Sequence, residues 1–212
     1  MIPVHVALGK ELPELAWWHT NEDDPQHLTA RFKPPVFEGA WSKPDGGLFT
    51  AVLRDFGRGV PDSAWAQYND TIDVKDHRFV STLVPDPDAR FVVIDSQADA
   101  VAAAQAFPAA PGTGLLERVF AGEELERFKA QVPNPSSTMA SMVGYGDRRP
   151  PLIDFTLLAQ HQYAGVYLTL RGMIECRGGT ANYPSFRIWD VETVWFRAPF
   201  LRVTGTSHWV SV

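Results

Sequence analysis

The sequence predicts an α+β fold, and three observations lead there. Apolar residues make up 45% and charged residues 21% of the 212, the balance of a chain that buries a core. Strand-like runs lie towards both ends and the helix-like segments gather between them, which is not the βαβ alternation of a doubly wound sheet. Seventeen Pro and sixteen Gly cut the chain into short elements. At about 150 residues per domain the length falls between one and two domains. No stretch resembles a long linker, so residues 1–212 read as a single domain.

Glu14–Thr20 reads as a short strand of bulky residues ending in polar ones. Asn21–Gln26 is an acidic loop, and 31–46, broken by Pro34, Pro35, Gly39, Pro44 and Gly46, is a long structured loop. A Pro-Asp-Gly-Gly turn then leads into a β-rich run, Gly47–Leu53. Asp62 is placed as the cap of a short helix, Ser63–Tyr68. Arg78–Val84 and Arg90–Asp95 read as strands around the turn Pro85–Asp88. Ser96 caps an Ala-rich helix running to Phe107, and Leu115–Gln131 is helical with a break at Gly122. Residues 133–151 are the loosest stretch. Asp154 caps a further helix, Gly165–Arg171 is a strand, Arg187–Phe196 is a strong strand, and the tail from His208 is an edge strand.

Composition removes several functions. No run approaches the roughly 18 apolar residues of a membrane-spanning helix. The N-terminus lacks a basic region followed by an apolar one, so no signal peptide is read and a cytoplasmic protein is expected. Cys176 is the only cysteine, which excludes a disulfide framework and a cysteine-based zinc site. The six histidines show no regular ligand spacing, so no metal is expected. Nineteen basic against twenty-five acidic residues give a net charge of −6, which disfavours a broad nucleic-acid face but leaves room for a local patch at Arg148-Arg149 or Arg171/Arg177. The phosphate-loop, GxGxxG, GxSxG and HExxH patterns are absent.

Four short pieces remain that suit chemistry. Trp18-His19-Thr20 sets a histidine beside a hydroxyl at a strand end, a pair able to hydrogen-bond a ribose or phosphate, or simply the backbone. Gly46-Gly47-Leu48-Phe49-Thr50 allows a ligand close to the backbone with an aromatic ring behind it, and equally describes a turn before a core Phe. Ser63–Tyr68 lines either a cleft or a core helix. In Trp189–Phe196, strand alternation puts Asp190 and Glu192 on one face amid aromatic residues. Such carboxylates are either held at raised pKa in a site or solvated on an edge strand.

In order, these pieces resemble the ADP-ribosyltransferase fold, and within it the diphtheria-toxin-like branch marked by His, Tyr and Glu on three strands. Phe49 stands where that branch has Tyr, and the Asp190-x-Glu192 pair is similar to the Glu-x-Glu of the other branch. The resemblance implies a split β-sandwich of two antiparallel sheets with helices inserted between the strand sets. It implies NAD as substrate and a transfer of ADP-ribose to a macromolecular acceptor, protein or nucleic acid, as in phage or bacterial effectors. It makes Glu192 the carboxylate that stabilises an oxocarbenium-like ribose, with Asp190 orienting the acceptor. His19 and Thr20 would hold the adenosine ribose and nicotinamide amide, while Phe49 and Tyr68 stack on the nicotinamide. Gly47, Thr50 and Ser63 would line the same pocket, Trp41 and Ser42 would lie in a loop covering NAD, and Arg31 would meet the pyrophosphate. Two other functions are open to the residues alone: a tryptophan-rich binding module without catalysis, and a carboxylate-based glycosidase or nuclease using Asp190, Glu192 and a distant Asp.

Overall fold

A computed structural model describes residues 3–19, 46–53, 79–109, 123, 127, 130, 152–177, 184, 186, 189, 193–196 and 201–208. The strands are β1 (Val6–Leu8), β2 (Leu15–His19), β3 (Leu48–Val52), β4 (Phe79–Pro85), β5 (Arg90–Ile94), β6 (Gly165–Leu168), β7 (Thr193–Phe196) and β8 (Leu201–His208). The helices are α1 (Gln97–Ala106), α2 (Phe155–Gln160) and α3 (Leu170–Cys176). The fold is α+β, as expected. The described strands form one eight-stranded sheet in the order β1-β5-β6-β7-β3-β2-β4-β8, where the resemblance implies two antiparallel sheets. All of its pairings are antiparallel except β5 with β6.

The sheet has to curl. β4 and β5 stand five strand positions apart, yet only residues 86–89 join them. Five spacings in a flat sheet cover about 24 Å. Five residue steps, fully extended, reach about 17 Å. The β4–β5 turn continues the β1–β5 pairing, with the Gly9 N–H donating to Ala89 O at 2.8 Å and the Lys10 N–H to Pro87 O at 3.2 Å. Inside the curl, Leu15, Trp17, Val52, Leu83, Phe91 and Val194 form one core cluster. Outside it, Val92, Ile94, Val166 and Trp195 meet the helices through Ala100, Ala103, Ala104, Phe155 and Leu158. Ala16, Trp18, Ala51 and Val80 make a smaller cluster, and strand alternation gives it this outer face.

The caps predicted from sequence are in place. Ser96 Oγ accepts from the Asp99 N–H at 3.2 Å, and Asp154 Oδ1 accepts from the N–H groups of Thr156 and Leu157 at 2.8 and 3.0 Å. Two element assignments change. The expected strand Gly165–Arg171 stops at Leu168, because Thr169 turns the chain and caps α3 through the Gly172 N–H at 3.0 Å. The β-branched and aromatic run therefore covers only the first half of that segment. Of the expected strand Arg187–Phe196, residues 193–196 are β7, while Trp189 lies in a bend with its N–H on Phe186 O at 3.0 Å. The edge strand expected from His208 onward shares only His208 with β8, which runs over Leu201–His208 and is not assigned from sequence, and residues 209–212 lie outside the described residues. The Asn21–Gln26 loop, residues 31–45, the Ser63–Tyr68 helix and residues 133–151 lie outside the described residues.

Candidate functional site

The strands bearing three of the four sequence pieces are neighbours. β2 carries His19, β3 carries Phe49 and Thr50, and β7 begins one residue after Glu192; β7, β3 and β2 are consecutive in the sheet. β2 and β3 pair only at Leu15↔Val52 and Ala16↔Ala51. Beyond these pairs, towards His19, β2 continues with β4, while β3 continues with β7. The sheet thus opens at the ends that carry the motif residues.

Register decides which of these residues meet. Leu15 faces Val52 and Ala16 faces Ala51, so alternation gives Leu15, Trp17 and His19 the inner face, with Leu48, Thr50 and Val52. Phe49 takes the outer face, where its ring meets Trp189 edge-on at 5.4 Å between centroids. His19 and Phe49 are therefore not brought together on one face. Thr50 is buried, and its hydroxyl donates to Val194 O at 2.9 Å, tying β3 to β7. Gly46 and Gly47 have φ of 80° and 73°, a backbone that favours glycine. They form the turn into β3, and Gly46 O accepts from the Trp195 indole N–H at 3.0 Å. Thr20, Arg31, Trp41, Ser42, Ser63, Tyr68, Asp190 and Glu192 lie outside the described residues.

His19 is the centre of a polar cluster inside the curl. Its residue exposure is 2%, and its ring stacks with Trp17 at 4.7 Å and Phe79 at 5.9 Å between centroids. Its Nε2 lies 2.8 Å from Ser81 Oγ, and Ser81 Oγ lies 2.8 Å from Thr206 Oγ1. The three side chains form a chain across β2, β4 and β8, from a buried imidazole to an exposed threonine. Ser81 is fully buried. A serine beside a histidine suits nucleophilic chemistry only if a substrate reaches it, so here the pair acts by holding geometry. Reasoning from sequence missed Ser81 and Thr206. The available signal was a hydroxyl in the apolar run of β4, but its partners depend on strand register, which that run does not encode.

A second polar cluster sits where the parallel pair β5–β6 ends. Asp95 accepts from the Thr169 hydroxyl at 2.6 Å and pairs with Arg171, whose Nε also donates to Asp95 O at 2.8 Å. These contacts join the start of α3 to the end of β5 and read as structural. No group of three or more metal-ligating side chains occurs among the described residues. No helix among them is long and apolar enough to cross a membrane. Comparison with protein-family models, with curated proteins and with solved structures finds no match to this chain.

Proposed function

We propose that this chain is an NAD-dependent ADP-ribosyltransferase acting on a macromolecular acceptor. The observation that carries the reading is the adjacency of β2, β3 and β7, which are scattered over residues 15–196 in sequence and consecutive in the sheet. The parting of β2 from β3 beside His19 also supports it, since the split sandwich of this reading needs an opening between strand sets. NAD would lie on the inner face at that opening. On this reading His19 would hold the adenosine ribose with Thr20 beside it, which requires NAD to displace what covers the 2%-exposed ring. Tyr68 supplies the ring stacked on nicotinamide, because Phe49 faces the other way.

The chemistry needs little beyond a placed carboxylate. As the nicotinamide–ribose bond lengthens, positive charge grows on the ribose. Glu192 stabilises that charge through space and accepts from the ribose 2′-hydroxyl. Asp190 takes the acceptor's proton as the new bond forms. Glu192→Gln keeps the size and removes the charge, so nicotinamide release should fall about 10²–10³-fold while NAD still binds. The check is nicotinamide release beside NAD binding by calorimetry. Wild-type protein that neither binds NAD nor releases nicotinamide overturns the reading. The binding-module alternative draws no support from the described tryptophans, since Trp17, Trp18, Trp189 and Trp195 are all buried.

A further inference from the structure

We propose that Thr204 is an edge guard, an extra residue that kinks β8 and keeps a second copy of this chain from adding a strand to the sheet there. Among the described strands β8 stands last in the sheet and pairs with β4 alone. It has eight residues, and Thr204, Gly205 and Thr206 are exposed. An edge strand offers a row of backbone N–H and C=O groups to any other extended chain. The strand at the other end of the sheet, β1, has three residues, and shortness protects it. β8 lacks that protection. Residues 203–206 read Val-Thr-Gly-Thr, without the charge or Pro that blunts an edge.

The register supplies what composition does not. Thr82 pairs with Gly205, and the next residue of β4, Leu83, pairs with Val203, so Thr204 is passed over. The side chains show the same shift. The Ser81 and Thr206 hydroxyls meet at 2.8 Å, and Val203 packs against the inner cluster that holds Leu83. Val203 and Thr206 thus share the inner face at an odd separation, which regular alternation forbids. Two residues of β8 against one of β4 is a bulge, which bends the strand and strengthens its twist. A partner strand needs a straight row of backbone groups, and the bend interrupts it in the middle of β8. The Thr204 hydroxyl is turned back onto β4, donating to Thr82 O at 3.2 Å. The fold itself does not need the extra residue. Without it, Val203 and Thr206 would stand two positions apart, still on one face and in a regular ladder.

The test removes the guard and then replaces it. Self-association of the full chain is followed by sedimentation velocity over a concentration series, with circular dichroism to check folding. Deletion of Thr204 should leave a folded protein that dimerises at least about tenfold more tightly than wild type, because the straightened edge gains paired backbone groups. Deletion of Gly205 in its place also leaves one residue opposite Thr82 and should act alike. Gly205→Lys added to the Thr204 deletion should abolish the gain, since a charge on the edge then stands in for the bulge. The position accepts a side chain, as a Cβ on Gly205 meets nothing within 4 Å and its φ is not left-handed. Gly205→Lys alone should leave wild-type association unchanged. Deletions that fold and associate no more than wild type overturn the proposal. So does a gain in association that Gly205→Lys leaves intact, because that contact forms elsewhere. If both deletions unfold, the extra residue serves the fold and the guard role is refuted. Wild-type association that Gly205→Lys weakens refutes it as well, since the edge would then be open.

Discussion

Single residues here are governed by what lies within a few ångströms of them. Gly172 is the clearest case. A Cβ built on it would stand 2.0 Å from Ile94 O and 2.7 Å from the Ile94 carbonyl carbon. The helix α3 therefore lies directly on the end of β5, and only a residue without a side chain fits. Alanine would ordinarily favour a helix by about 1 kcal/mol over glycine. In Gly172→Ala the clash with backbone outweighs that gain, and overpacking of this kind costs about 1–3 kcal/mol. Chemical denaturation of the variant should show a net loss of stability; a gain would mean that α3 moves freely off β5. His19 makes the same point for the site. Its histidine identity is plain in the sequence, but its role follows from the ring at 4.7 Å and the hydroxyl at 2.8 Å that surround it.

At the scale of elements, caps and alternation account for most of what forms. The helix α2 has six residues, too few to persist on its own propensity. Its entry is held by Asp154, which satisfies two backbone N–H groups at once. Asp154→Ala should cost about 1 kcal/mol, read as a lower urea midpoint at unchanged slope. Asp154→Asn, which keeps an acceptor oxygen, should recover most of it. The Ser96 cap on α1 is reinforced differently, because Asp99 Oδ2 in turn accepts from the Ser96 hydroxyl at 2.8 Å and from the Asp95 N–H at 3.1 Å. The strand β2 shows why alternation alone misleads. All five of its residues are buried, since it lies inside the sheet with a core cluster on each face. Its sequence, Leu-Ala-Trp-Trp-His, reads as one bulky run, and only the pairing with β3 assigns Trp17 to one face and Trp18 to the other.

The whole molecule is organised by the short link between β4 and β5, which curls the sheet and separates an inner core from a helix-covered outer one. Cys176 lies in the outer core, where burial first, and the charges of Glu175 and Asp99 after it, push the thiol up from 9.0 to about 12. In the unfolded chain this thiol ionises near its ordinary value, while in the folded protein it keeps its proton. The unfolded state thus binds fewer protons as pH rises from about 9 to 12, so the thiol contributes stability that is complete below that window and lost across it. Denaturation at pH 8 and pH 10.5 should show a fall that Cys176→Ala makes smaller. At pH 8 a thiol reagent should label the native protein only as fast as the core opens, and label it at once in denaturant. Rapid labelling of the native state would place Cys176 outside the core.

The amino-acid sequence alone determined the elements whose signals are local. The α+β class, the β2, β3, β4 and β5 runs, the Pro85–Asp88 turn and the caps at Ser96 and Asp154 each rest on residues within a few positions of one another. It also singled out His19, Phe49 and Thr50 as residues worth placing. The tertiary structure decided what depends on register and closure: the conversion of Leu170 and Arg171 from strand to helix, the edge position of β8, and the neighbourhood of β2, β3 and β7. It turned Phe49 away from His19 and supplied Ser81 and Thr206 in its place. The reason is physical. A one-residue change of register moves a side chain from the inner face to the outer, and no local preference distinguishes the two when both faces are buried.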